Sequence, residues 1–233
     1  MTFRPLVLAA SLIFLASACG DATSSSESTI APVDTETSFV VNPIVWGACE
    51  GSASVEVECG NIEVPFDYSD PEKGSFVLYI KKRNAANQAD RIGSMLVNPG
   101  GPGFGGSSLA DDAQYYFSQD LIDRFDIIAW DPRGTGESTP AVDCVDTFDE
   151  YFGLDSPPES PEEKQALIDA SQAFNDKCSE NSGTILPYIS TKASAADMNS
   201  IRLALGEEKV SYFGFSYGSQ AMMSKRSIRS WLK

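Results

Sequence analysis

The amino-acid sequence predicts an α/β domain whose sheet has parallel central strands and is covered by helices. Two continuous apolar runs, residues 93–97 and 125–130, have the length and composition of strands that are buried on both faces. Each run ends in a loop rich in glycine and proline, and segments with helical periodicity lie between and after the runs. Strands that alternate with helices in this way are joined by crossover connections, which place the strands parallel to one another.

The composition is that of a globular chain. Its 233 residues, 42% of them hydrophobic and 21% charged, allow one large domain or two small ones. The formal net charge is -16, from 17 Lys and Arg against 33 Asp and Glu. This charge argues against nucleic acid as a partner, because phosphate binding needs clustered cations. The chain contains no histidine.

The first 18 residues have the pattern of a removable signal peptide, with an apolar run at 6–15 and a small-residue cleavage site at 16–18. The run is too short to span a bilayer, which takes about 20 apolar residues. Cys19 follows in a sequence that resembles a bacterial lipobox, and two outcomes stay open: a lipid anchor on Cys19 at the outer face of the cell membrane, or plain secretion. Residues 19–45 are then the anchor cysteine and a polar tether.

Four further cysteines, an even number in an exported chain, predict two disulfides. Three pairings are open to them, and the sequence spacing favours Cys49 with Cys59 and Cys144 with Cys178, because each of these pairs closes a local loop. A metal site is the rival interpretation. No C-x-x-C motif and no histidine complete a ligand set, so no metal is predicted.

The strands ahead of the two buried runs show alternating polar and apolar residues. Residues 54–57 and 61–66 alternate on either side of Cys59-Gly60, which predicts two antiparallel strands, and residues 75–82 repeat the pattern. Residues 46–223 are predicted to form the folded domain, followed by a basic tail at 224–233.

Three segments are predicted to be helical. Residues 108–124 lie between the buried strands, and residues 193–205 form an amphipathic helix that Gly206 ends. The third helix begins with a capping box, in which Ser160 is the N-cap, Pro161 the first helical residue and Glu163 the third. The acidic, proline-bearing segment 146–158 that precedes it is expected on the surface.

The most informative pattern is the strand at 209–213 that runs directly into Gly214-Phe215-Ser216-Tyr217-Gly218. This G-x-S-x-G arrangement predicts a sharp turn between strand and helix that holds the central serine in a strained, exposed position. Ser216 is therefore the candidate nucleophile. A serine hydroxyl needs a neighbouring base, usually histidine, to accept its proton.

The loop at 98–103, Asn-Pro-Gly-Gly-Pro-Gly, also follows a buried strand and could donate a backbone N–H to the oxygen of a tetrahedral intermediate. Pro102 has no N–H, so Gly101, or else Gly100, is the expected donor, with the N–H of Tyr217 as the second.

A rival reading of the same loop is dinucleotide binding, because residues 101–106 also fit G-x-G-x-x-G and Asp131 ends the next strand. Against this reading, Pro102 removes an amide from the site where a pyrophosphate would bind, and no lysine follows as in a P-loop. No cofactor is predicted. Arg133 is expected to be structural.

Taken together, the motifs at 98–103, 131–138 and 214–218 resemble the α/β-hydrolase fold, and more narrowly the exported actinobacterial tripeptidyl aminopeptidases and their prolyl aminopeptidase relatives. The resemblance covers roughly residues 46 to 220. It implies that Ser216 is acylated, that Gly101 and Tyr217 form the oxyanion hole, and that the substrate is a peptide with a free N-terminus. An esterase on the same fold and a non-catalytic secreted binding or vestigial module are the alternatives.

The end of the sequence departs from this family. The catalytic triad of the fold runs in the order Ser, acid, His, whereas the 17 residues after Ser216 (233 minus 216) contain neither an acid nor a histidine. The tail at 224–230 is basic where an apolar helix is expected. We therefore expect a truncated or frameshifted form that lacks the later strands and the cap, exposes an apolar sheet edge and has no turnover.

Overall fold

The computed structural model describes residues 39–50, 56–155 and 157–223. The signal peptide, Cys19 and the basic tail predicted from the sequence lie outside these ranges. Within them the chain forms one mixed sheet of six strands flanked by helices. The strands are β1 (Gly47–Ala48), β2 (Val57–Pro65), β3 (Ser75–Arg83), β4 (Gly93–Asn98), β5 (Phe125–Trp130) and β6 (Ser211–Gly214).

The order of the strands across the sheet is β1-β2-β3-β5-β4-β6. The first three are antiparallel to their neighbours, β3 pairs antiparallel with β5, and β4 is parallel to both β5 and β6. The parallel strands are the two buried runs and the strand before the G-x-S-x-G turn. The predicted α/β architecture is therefore confirmed.

The prediction of two strands around Cys59-Gly60 is wrong, because β2 runs without interruption through both residues. Gly60 stands opposite Ile80 of β3 in a continuous register. A Cβ at Gly60 would lie 2.4 Å from Cγ2 of Ile44 and 3.0 Å from the carbonyl oxygen of Val45. The glycine thus makes room for the segment that crosses the strand, instead of forming a turn.

The helices of the described part are α1 (Ala113–Tyr116), α2 (Gln119–Arg124), α3 (Asp149–Phe152), α4 (Pro161–Ser182), α5 (Thr191–Ala204) and α6 (Gly218–Met223). Turns of 3₁₀ helix lie at Pro71–Lys73, Gln88–Asp90, Ser107–Ala110 and Leu186–Tyr188.

The predicted helix at 108–124 is broken into a 3₁₀ turn and two short helices. Phe117 and Ser118 between α1 and α2 have extended backbones. Phe117 is buried and its ring lies 5.5 Å from that of Phe213. The helix is therefore interrupted at the residue whose side chain packs into the core. Tertiary packing overrides the local helical periodicity here, and the sequence pattern does not show this.

The other predicted helix signals are confirmed. Ser160 accepts a hydrogen bond from the Glu163 amide, and the Glu163 side chain accepts one from the Ser160 amide, which completes the capping box of α4. Gly206, with φ of 69°, follows α5. Both predicted disulfides are formed, Cys49 with Cys59 and Cys144 with Cys178.

Alternating side chains of the strands build two apolar layers, one on each face of the sheet. One layer includes Leu78, Leu96 and Trp130 packed against α5, and the other includes Met95, Val97 and Ile127 packed against the segment that contains α1. The N-terminal segment joins the first layer from Val41 onward, and Ile44 is buried there. None of the helices in the described ranges has the length and apolar character needed to cross a membrane.

Candidate active site

Ser216 lies at the turn between β6 and α6, with a backbone φ of 47°. Positive φ is uncommon for residues other than glycine, and such strain concentrates at functional sites. The turn is closed by hydrogen bonds from the Gly218 amide to the Phe215 carbonyl at 2.7 Å and from the Ser219 amide to the Ser216 carbonyl at 3.0 Å. Ser216 is exposed. The predicted sharp turn at residues 214–218, called here the elbow, is therefore present.

The two glycines of the motif are required because the backbone approaches other atoms closely at both positions. A Cβ at Gly214 would lie 2.7 Å from the backbone of Gly218, and a Cβ at Gly218 would lie 2.9 Å from Oδ1 of Asn98. A side-chain hydrogen bond also stabilises the turn, because the Tyr212 hydroxyl donates to the Gly218 carbonyl at 2.6 Å. Burial raises the pKa of Tyr212, which keeps this donor protonated.

The glycine-rich loop after β4 packs directly on the elbow. The Asn98 carbonyl accepts a hydrogen bond from the Phe215 amide at 3.0 Å, and its side-chain Oδ1 accepts one from the Gly100 amide at 2.8 Å. A Cβ at Gly100 would lie 2.8 Å from the Phe215 carbonyl oxygen and 3.0 Å from Cβ of Ser216. The loop and the nucleophile turn therefore share one surface.

This geometry bears on the choice between the two candidate oxyanion donors of the loop. The Gly100 amide is already bound to Asn98, whereas Gly101 is exposed. In the part of the chain that the structure describes, no protein group accepts a hydrogen bond from the amide of Gly101 or of Tyr217. The side-chain hydroxyl of Tyr217 contacts that of Thr191 at the start of α5. The oxyanion roles of Gly101 and Tyr217 remain predictions.

Asp131 organises the loops beside this site. Its buried carboxylate accepts hydrogen bonds from the amides of Gly106, Ser107 and Glu137 at 2.7, 2.8 and 2.9 Å. A carboxylate so engaged is not free for a ribose hydroxyl, and the glycines lead into a 3₁₀ turn instead of the long helix of a dinucleotide fold. Both facts argue against the dinucleotide interpretation.

Arg133 is structural, as predicted. Its guanidinium is fully buried and forms two hydrogen bonds with the Asp197 carboxylate, at 2.8 and 2.6 Å. It also donates to three backbone carbonyls, those of Pro65, Phe66 and Tyr188.

The charge of Arg133 is preserved by its partners. Burial by itself lowers the pKa of the Arg133 guanidinium, but the hydrogen bonds and the negative charge of Asp197 outweigh burial and raise it. Tyr68 donates to the same carboxylate at 2.8 Å. The hydrogen bonds of Arg133 and Tyr68 to Asp197 therefore connect the end of β2 and the loop after β5 to α5.

Sequence reasoning missed Asn98, Asp131, Asp197 and Thr191 as the residues that support the site. Asn98 is the last residue of β4 and Asp131 directly follows β5, and this position at the carboxyl end of a buried strand is the signal that points to them. Asp197 and Thr191 lie on a helix, and nothing in the local sequence indicates their partners. No group of three or more acidic or cysteine side chains in the described ranges is arranged to hold a metal ion.

Comparison with known proteins agrees with this geometry. The family model of the alpha/beta hydrolase fold matches residues 93–223. The tripeptidyl aminopeptidase of Streptomyces coelicolor is 34% identical over 185 residues, which cover 76% of this chain and 34% of the relative. The serine protease Hip1 of Mycobacterium tuberculosis is 32% identical over 186 residues, covering 76% of this chain and 35% of the relative.

A third relative, carboxylesterase B of Mycobacterium tuberculosis, is 33% identical over 168 residues, covering 68% of this chain and 32% of the relative. The chain thus spans about a third of the length of the curated relatives it matches. Residues 93–223, which the family model matches, contain the elbow, the glycine-rich loop and Asp131. The strand order of the sheet, the strained backbone of Ser216 and these matches all agree, and the chain belongs to the α/β-hydrolase family.

Proposed function

We propose that Ser216 is the nucleophile of an exported serine peptidase that releases short peptides or an amino acid from the free N-terminus of a polypeptide. The observation that carries this proposal is the strained, exposed Ser216 with the Gly100 loop packed against it. Two of the relatives described above are named as a tripeptidyl aminopeptidase and a serine protease, which supports a peptide substrate.

The proposed reaction uses the Ser216 hydroxyl as nucleophile and two backbone amides as hydrogen-bond donors. Oγ of Ser216 attacks the carbonyl carbon of the scissile bond, and the resulting oxyanion accepts hydrogen bonds from the amides of Gly101 and Tyr217. Collapse of this intermediate expels the amine, which takes up the proton lost by the serine, and leaves an acyl-enzyme that water hydrolyses. The proton needs a base, and these 233 residues contain no histidine to supply one.

The proposed location is outside the cytoplasm. The two disulfides are typical of proteins that fold in an oxidising compartment. The signal peptide at 1–18 would direct export. A lipid on Cys19 would hold the domain at the outer face of the membrane, and without the lipid the protein would be secreted.

The test compares a polypeptide of these 233 residues with a longer one that continues into a downstream acid and histidine. Each is assayed with a tripeptidyl p-nitroanilide whose amine is free and with its N-acetylated form. We expect no turnover from the shorter polypeptide. The longer one should cleave the free substrate in preference to the acetylated one, and Ser216→Ala should abolish that cleavage.

Turnover by the shorter polypeptide that Ser216→Ala removes would show that the expectation of inactivity is wrong. Equal cleavage of the acetylated substrate would contradict the aminopeptidase assignment. If Ser216 in the longer, folded polypeptide fails to react with a fluorophosphonate probe while circular dichroism shows intact structure, the chain is a non-catalytic module.

An esterase is the second candidate, because one relative is named as a carboxylesterase. The nucleophile and the oxyanion donors would be the same, and only the leaving group differs. Short-chain p-nitrophenyl esters, compared with the peptide substrate by kcat/KM in the longer polypeptide, separate the two. A much higher kcat/KM for the esters would favour the esterase.

A further inference from the structure

The excursion between β5 and α5 carries a cluster of aromatic side chains that the proposed reaction does not use. The ring of Phe174 on α4 lies 6.1 Å from that of Phe148, just before α3, and 5.8 Å from that of Tyr151 on α3, measured between centroids. Within α3, the rings of Tyr151 and Phe152 are 5.0 Å apart. They border a groove of about 290 Å³, called here the aromatic groove, which is lined by Phe148, Tyr151, Phe152, Ser171, Phe174 and Asn175.

The aromatic groove is open to solvent. Phe152 is 72% exposed and Phe148 is 53% exposed. Ile168, which is 50% exposed, precedes Ser171 and Asn175 by three and seven residues and so lies on the same face of α4. Contiguous apolar side chains at a surface mark sites of interaction with other molecules.

Covalent and polar contacts hold the groove in shape. The Cys144–Cys178 disulfide joins the chain just before α3 to the last turns of α4. Ser182 Oγ donates to the Asp143 carbonyl at 2.9 Å and accepts from the Asp143 amide at 2.8 Å. Lys177 on α4 pairs with Glu150 on α3 at 3.1 Å. A binding surface held in this way loses little conformational freedom when it is occupied.

The surroundings of the groove are strongly negative. Residues 143–180 contain 11 Asp and Glu and 2 Lys, a net charge of -9 (2 minus 11) out of -16 for the whole chain. One of these two lysines, Lys177, is already paired with Glu150. The groove therefore combines an apolar centre with a negative border, and its complement is a surface that is apolar and positively charged.

The excursion joins the sheet at the edge where Ser216 lies. It begins after the carboxyl end of β5 and ends at the start of α5, where the side chain of Thr191 contacts that of Tyr217. An occupant of the groove would thus bind an element that is connected at both ends to the candidate active site.

We infer that the aromatic groove binds a cationic amphipathic helical segment of another polypeptide, whose apolar face covers the rings and whose Lys and Arg side chains meet the acidic border. Helices commonly bind in this way in a groove between two other helices. A second copy of this acidic chain and an anionic lipid surface would both be repelled by the border. The inference does not depend on the proposed reaction.

Fluorescence anisotropy of a labelled synthetic peptide tests this inference with the 233-residue chain, disulfides intact. The probe is a peptide of about four helical turns made of leucine and lysine, with leucine on one face. Two control peptides have glutamate in place of lysine or a scrambled order without an apolar face. We expect saturable binding of the lysine peptide alone, weakened by added salt.

Two pairs of matched variants locate the binding site. The double substitution Phe148→Ser with Phe152→Ser should weaken binding about tenfold or more. Tyr115→Ser, which removes a ring that is 80% exposed elsewhere, should leave it unchanged.

In the second pair, Asp146→Asn with Asp149→Asn removes two exposed charges on either side of Phe148 in the sequence and leaves the Lys177–Glu150 pair intact, and Asp70→Asn with Glu72→Gln removes two elsewhere. Only the first change should weaken binding of the lysine peptide.

Wild-type affinity in both groove variants would overturn the inference, and so would equal binding of the glutamate peptide. If sedimentation shows a dimer that Phe152→Ser dissociates, the groove is a contact between copies and the inference is wrong. Should the double phenylalanine variant lose its circular dichroism signal, the charge variants decide, because all four of their substituted side chains are exposed.

Discussion

The backbone carbonyl of Asn98 accepts a hydrogen bond of 3.0 Å from the amide of Phe215, and this bond joins the end of β4 to the residue before the candidate nucleophile. The same asparagine orients the glycine-rich loop through its side chain, which accepts from Gly100 at 2.8 Å. Asn98 therefore links the elbow to the loop that carries the predicted oxyanion donor. We expect a substitution that displaces the backbone of one to displace the backbone of the other.

Substitution of Gly100 should show this coupling. In Gly100→Ala the new methyl would meet the Phe215 carbonyl at 2.8 Å at a φ of 105°, so we expect a loss of about 3 kcal/mol or more in the free energy of unfolding. Gly103→Ala is the matched control, since its φ is 98° and nothing lies within 4 Å, and should cost about 1 kcal/mol. Urea denaturation followed by circular dichroism measures both, and equal losses would contradict the coupling.

The buried pair of Arg133 and Asp197 should be essential for stability. Arg133→Met leaves the Asp197 carboxylate buried without its cation, and we expect a loss of about 3–5 kcal/mol in the free energy of unfolding. The double variant Arg133→Met with Asp197→Leu should recover part of the loss, because it also removes the unpaired charge. The urea midpoints of the wild type, the two single variants and the double variant test this, and a double variant as unstable as the sum of the single changes would argue against it.

Two buried tyrosines predict a loss of stability at alkaline pH. Burial, followed by the negative charge of Asp197, raises the pKa of Tyr68, and burial raises that of Tyr212. The folded state thus favours the neutral phenols. Their contribution is complete below the unfolded pKa of about 10 and is lost as the pH rises above it.

The urea midpoint measured from pH 8 to pH 11 should therefore stay level and then fall above about pH 10. Tyr68→Phe combined with Tyr212→Phe should make the fall shallower, although the variant is less stable at pH 8 because three hydrogen bonds are lost. An unchanged slope in the double variant would show that other groups cause the alkaline loss.

The two disulfides should contribute unequally. Cys144 and Cys178 are 34 residues apart and Cys49 and Cys59 are 10 apart, so the longer loop constrains the unfolded chain more. Replacement of both cysteines by serine should cost about 4 kcal/mol for the longer loop and about 3 kcal/mol for the shorter one. Thermal unfolding of the two double variants gives the comparison, and a larger loss for the shorter loop would contradict the loop-length argument.

Much of the architecture could be predicted from the sequence because its signals are local. A continuous apolar run predicts a strand buried on both faces, as in β4 and β5, and Ser160 with Glu163 predicts the start of α4. The G-x-S-x-G pattern predicts the turn at Ser216, since only glycine fits the close approaches at Gly214 and Gly218. Each of these features depends on residues within a few positions of one another.

Only the tertiary structure decided the features that depend on distant partners. Gly60 occurs in an alternating pattern that suggests a turn, yet it lies inside β2 because Ile44 crosses it. The periodicity at 108–124 continues through Phe117, yet the helix breaks where that ring packs on Phe213.

The hydrogen bond from the Gly100 amide to Asn98 occupies one of the two candidate donors of the loop and leaves the Gly101 amide without a protein acceptor among the described residues. This bond depends on the folded position of the loop against the elbow. The sequence by itself determined the local conformations, because propensity and steric limits act between near neighbours. Packing and long-range hydrogen bonds determined which of these local conformations are kept in the folded protein and which distant side chains come into contact.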